Sequence, residues 1–130
     1  MADLKELNNT PDTTAQFDNE DIEKNKILAL FSYLGILLLI PLLAAKDSKF
    51  ARFHVNQGLV LLICEIVVGI VTSILGAILG FIPVAGALLS SLISLVVGVV
   101  DIVLVIIGII NAVNGKAKEL PIIGKIRILK

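Results

Sequence analysis

Three long apolar stretches, each near the length of a bilayer crossing, alternate with short polar segments along this chain. They run over about 27–45, 58–80 and 88–110. A spanning helix needs roughly 20 predominantly apolar residues, at about 1.5 Å each, to cross a hydrocarbon core of about 30 Å. The pattern predicts an all-α polytopic membrane protein with three transmembrane helices. Residues 1–17 mix Asn, Thr, Asp and Pro with few apolar residues and read as a disordered acidic tail. Order is expected from Asp18 or Asn19, where Glu20, Asp21 and Glu23 complement a helix N-terminus. Pro41 sits about one turn from the end of the first stretch and predicts a kink or early stop there.

The polar segments refine the outline. In 46–57, Phe50 and Phe53 are three apart while Lys49, Arg52 and Asn56 form a stripe at helical spacing. That suits a short interfacial helix between the first and second spans, with aromatics down and bases toward phosphates. A polar connector with two aromatic anchors fits the same residues. The uncharged 81–87 segment, with Pro83 and Gly86, is too short for anything but an antiparallel hairpin. A transmembrane domain over 18–113 thus precedes a basic, interfacial C-terminal tail over 114–130, in which Lys125, Ile126, Arg127 and Ile128 alternate.

Composition agrees: 57% of residues are hydrophobic and mean hydropathy is +1.00, against the 45–50% apolar content usual for soluble domains. The formal charge of zero hides opposed ends, with seven acids against three bases in 1–26 and five bases against one acid in 111–130. The polar N-terminus does not read as a cleavable signal peptide. Lys and Arg counts govern orientation. With three spans, eight bases fall on the side of 46–57 and the C-terminus, and three on the side of the N-terminus. The expectation is a multi-pass protein of the plasma (inner) membrane, N-terminus outside and C-terminus cytoplasmic. A re-entrant first stretch moves the N-terminus inside.

Glu65 and Asp101 are the two acids inside apolar stretches. Each shares a helical face with small residues: Gly69, Gly76 and Gly80 for Glu65, and Ser94, Gly98 and Gly108 for Asp101. Those small residues are expected to pack the two helices of the hairpin together. An acid at mid-membrane costs about 2.5–3.5 kcal/mol by insertion measurements, so each needs a partner or a purpose. Three readings stand open: protonated acids hydrogen-bonded within the bundle, contacts to a partner protein, or an intramembrane polar site for a proton or cation. His54 is the sole histidine and Cys64 the sole cysteine, so no metal cluster or catalytic dyad of the usual kind is expected. Neither a catalytic site nor a cofactor is expected.

The run Ala51-Arg52-Phe53-His54-Val55-Asn56-Gln57-Gly58-Leu59 carries a resemblance, supported by Tyr33-Leu34-Gly35 with Pro41 and by Leu120-Pro121-Ile122-Ile123-Gly124-Lys125. It resembles a small prokaryotic membrane-protein family of unknown function, similar to the pore-associated subunit of the chloroplast inner-envelope protein import translocon, over about 24–127. The resemblance implies a membrane protein without a known cofactor, with Arg52, His54, Asn56 and Gln57 as its distinctive surface. Together with Asn111 these form the expected interaction surface. The functional expectation is an interaction or assembly component of the membrane. Its partners are anionic lipid headgroups and a membrane protein or a second copy of the chain, not nucleic acid. The alternative is a small proton or cation carrier or channel using Glu65 and Asp101.

Overall fold

The computed structural model describes residues 6–129. Helix α1 (Asn19–Leu30) opens at Asp18, whose side chain accepts from the Glu20 N–H, with Glu20 and Asp21 in the first turn. The chain then tightens into 3-10 turns at Phe31–Tyr33 and Gly35–Leu38, and α2 (Leu39–Ala44) follows. Gly35 has φ +62°, a left-handed conformation that favours glycine and turns the chain back. Pro41 is accommodated in the first turn of α2, where its missing N–H is not needed.

The first apolar stretch is therefore not a straight span, which corrects the three-span expectation. A continuous 19-residue helix would separate its ends by about 28 Å. Instead the Asp21 carboxylate accepts hydrogen bonds from the Ser48 hydroxyl and, at 3.0 Å, from the Phe50 N–H. The segment departs and returns at one place, folded back on itself as a hairpin of short helical turns.

Two helices are long and apolar enough to cross a membrane: α3 (Lys49–Leu79, 31 residues) and α4 (Ala85–Val113, 29 residues). Only 17% and 11% of their most apolar windows are buried, so they are not the core helices of a soluble domain. Ser48 caps α3 by accepting from the Ala51 N–H at 3.0 Å. No residue in 49–58 interrupts the ladder, so the expected interfacial helix is fused to the second span as its first turns. At the far end a Cβ on Gly86 would lie 1.8 Å from the Leu79 carbonyl oxygen, which shows how tightly the hairpin closes.

Glycine also sets where the folded-back hairpin docks. A Cβ on Gly58 would fall 1.8 Å from the Ser32 carbonyl oxygen, and one on Gly108 would fall 2.4 Å from the Tyr33 ring. The break at 31–34 is thus wedged against α3 and α4 at one level. From Gly58 to Leu79 is about 32 Å of helix, and from Gly86 to Gly108 about 33 Å, close to the hydrocarbon thickness.

Everything on the cap side of that level shares one core. Ile22, Ala29, Tyr33, Phe50, Leu61, Ile107, Ala112, Ala117 and Leu120 are buried together. The N-terminal segment, expected to be a disordered tail, is laid along the C-terminal one from residue 8 onward. The Thr13 N–H donates to the Ala117 carbonyl at 2.9 Å, the Glu119 N–H to Pro11 at 3.2 Å, and Asp12 bridges antiparallel to Lys118. These contacts put the two tails at the same end of the hairpin. The expected arrangement, with the N-terminus outside and the C-terminus cytoplasmic, finds no support in this layout.

Candidate functional site

The α3 helix carries His54, Asn56 and Gln57 into the cap, one turn beyond the buried Phe50. His54 is fully buried. Its Nε2 lies 2.9 Å from the Lys116 carbonyl and its Nδ1 2.6 Å from the Tyr33 hydroxyl. A carbonyl only accepts, so Nε2 carries the hydrogen; full burial disfavours a charged ring, which leaves Nδ1 to accept from the Tyr33 hydroxyl. Phe50 and Phe53 pack edge-on to the imidazole at 4.9 and 5.2 Å between centroids.

The carboxamides act as substitutes for a neighbouring strand. Asn56 donates to Ile126 O at 3.0 Å and accepts from the N–H groups of Ile128 and Leu129 at 2.7 and 2.9 Å. Gln57 donates to Gly124 O and accepts from Leu120 N–H, both at 2.9 Å. Asn111 exchanges two 2.9 Å bonds with Asn8. His54, Asn56, Gln57 and Asn111 were expected on an outward interaction surface. The structure turns all four inward, onto the chain's own tails, because the backbone groups of an irregular tail require partners when covered. Arg52 alone of that set remains partly exposed. Glu119 holds Arg127 at 2.8 Å, and the guanidinium lies 5.7 Å from the Phe53 ring centre.

Asp21 ties the first hairpin shut. Burial works to raise its pKa, but hydrogen bonds from Ser48, the Phe50 N–H, Asn25 and the Lys49 N–H outweigh it and hold the carboxyl below the ordinary 3.8.

Glu65 and Asp101 are brought together. Each lies seven residues from the glycine that marks the docking level, Gly58 or Gly108, so both are about 10 Å further into the hairpin. The two carboxyls are close enough to interact with each other. They line a cleft of about 590 Å³ between α3 and α4, with Cys64, Gly69, Ser94 and Gly98. Asp101 Oδ1 is enclosed without a hydrogen-bond partner among the described residues. The small residues expected to close the hairpin do not: a Cβ added at Gly69, Gly76 or Gly98 meets nothing within 4 Å. The helices touch at base and tip and stand apart between.

Tyr33, Glu119 and the ties made by Asp21 escaped the sequence reading because the partners are 21, 8 and 27–29 residues away in backbone the pattern does not position, and Tyr33 lay within an apparently continuous span. Tyr33 still had one signal, as the single tyrosine of the chain.

The chain is an open hairpin of two helices long and apolar enough to cross a membrane, closed at its base by a folded-back segment and two interlocked tails. The chain belongs to the magnetosome magnetite crystal formation protein family, whose model matches residues 24–129. It is 47% identical over 38 residues to the magnetosome protein MamF of Paramagnetospirillum magneticum, covering 29% of this chain and 34% of that one. The same identity and coverage hold for MamF of Magnetospirillum gryphiswaldense. With the magnetosome protein MmsF of P. magneticum the identity is 42% over 38 residues. These alignments span about a third of the relatives' length. No solved structure matches. The family match overturns the resemblance to the chloroplast translocon subunit: the motif at 51–59 belongs to the magnetosome family.

Proposed function

We propose that this chain is an assembly component of a membrane, working in the setting its family's description names, the formation of magnetite crystals. Its hairpin associates with that of a second copy through the cleft between α3 and α4. The observation that carries this reading is the open cleft, in which the Glu65 and Asp101 carboxyls and the uncovered Gly69 and Gly98 stand together. Left to lipid, a carboxyl there costs a few kcal/mol, and small residues give up the close helix contact that drives association in a bilayer. A neighbouring helix supplies both, a hydrogen-bonding group and a packing surface.

Cys64 lines the same cleft and reports on it. A short bis-maleimide applied to membranes holding the wild-type chain is expected to give a covalent dimer, and Gly98→Leu to reduce its yield at least five-fold. A monomer by cross-linking and by single-molecule photobleaching overturns the reading. So does proton or cation flux in proteoliposomes that is abolished by Glu65→Gln/Asp101→Asn, since it would make the pair a carrier's site.

A further inference from the structure

A second cleft, of about 470 Å³, lies on the cap, far from the carboxyl pair. It is lined by Lys49, Arg52, Phe53, Asn56 and Arg127, with Phe17 at one wall. Lys49, Arg52 and Asn56 come from one face of the first two turns of α3, whereas Arg127 comes from the tail, 75 residues beyond Arg52. The fold therefore gathers three cations that the sequence keeps apart. Arg127 is held in place before any ligand arrives. Its Nη2 donates to Glu119, its Nη1 to the Gly124 carbonyl, and its plane sits over Phe53. Glu119 is paired with Arg127 from outside the cleft lining, which itself holds no acidic side chain.

Height along the hairpin identifies the ligand. Gly58 marks the cap end of the bilayer-length stretch, and Arg52 lies six residues, about 9 Å, further out. The polar zone of a bilayer adds roughly 5–8 Å to each side of the hydrocarbon core, so the Arg52 backbone stands at its outer edge, within side-chain reach of the headgroups. The flanks are apolar: Ile126 and Ile128, on either side of Arg127, are 50% and 44% exposed, and Ile122 is 92% exposed at the tip of the same tail. Bases above and bare isoleucines beside them match the two ends of a phospholipid.

We propose that this cleft binds the headgroup phosphate of an anionic phospholipid, with Lys49, Arg52 and Arg127 on the phosphate and Ile126 and Ile128 against the acyl chains. The proposal rests on the hairpin lying in a bilayer and not on self-association, so the cross-linking result leaves it standing either way.

The test is lipid binding to the full chain in neutral detergent, by native mass spectrometry and thermal shift, with phosphatidylglycerol, phosphatidylcholine or inorganic phosphate as the probe. Phosphatidylglycerol is expected to bind at least ten-fold more tightly than phosphatidylcholine. Lys49→Glu, at an exposed position, and Arg127→Gln should each weaken it five-fold or more. Lys46→Glu, which removes an equal charge outside the cleft, should change it less than two-fold. Equal weakening by Lys46→Glu overturns the proposal in favour of diffuse attraction. Inorganic phosphate binding as tightly as the lipid overturns it in favour of a soluble anion. Should Arg127→Gln fail to fold, Lys49→Glu decides.

Discussion

Asp21 shows how much of the cap depends on single polar groups. Its carboxylate joins the start of α1 to the start of α3, across a segment of 27 residues. Because its folded pKa is depressed, the stabilisation is fully present above the unfolded value and fades as pH falls through the folded one. Asp21→Asn is therefore expected to lower the unfolding temperature at neutral pH by several degrees. The gap from wild type should close below pH 3.8, in a thermal melt of detergent-solubilised protein followed by circular dichroism. Glycines make a sharper contrast. Gly58→Ala drives a methyl group into the Ser32 backbone and should cost at least 1–3 kcal/mol, roughly the cost of overpacking. Gly76→Ala meets open space and should leave the melt of the monomer unchanged or raised.

Among the helices, the two long ones were legible, and the first hairpin only as a break at Pro41 and a re-entrant alternative, for a physical reason. Apolar length and the short uncharged connector determine α3 and α4, since in lipid a continuous helix is the cheapest way to satisfy the backbone. The stretch at 27–45 has the same composition, yet its course is decided by a positive φ at Gly35 and by the Asp21–Ser48 tie. Hydropathy is blind to both. The carboxyl pair was readable as helix depth and facing, whereas the buried roles of His54, Asn56 and Gln57 depend on where a tail of irregular backbone happens to run. Re-entry has a direct test. In a Cys64→Ser background, cysteines at Asn9, Asp47 and Lys118 should label with an impermeant maleimide from one side of sealed vesicles. A cysteine at Phe81 should label only from the other side. Opposite labelling of Asn9 and Lys118 would restore a third crossing.

The molecule as a whole divides its work between a sealed end and an open one. Apart from the buried Ser32 hydroxyl, the cap satisfies its buried side-chain polar groups internally among the described residues, with tails, folded-back turn and helix ends all sharing one core. The hairpin beyond it presents a face to the bilayer that the chain itself does not complete. The chain belongs to the magnetosome magnetite crystal formation protein family, and the self-association proposed above would use the open face of the hairpin and not the cap. The interlocked tails also impose an order of events during synthesis. Asn56 and Gln57 are made early, but their partners at 120–129 emerge only after both long helices. During that interval the carboxamides stand beside a helix entering the membrane with water as their only partner. They resist being drawn inward, and so hold the base of the hairpin at the surface until the last residues arrive to lock it.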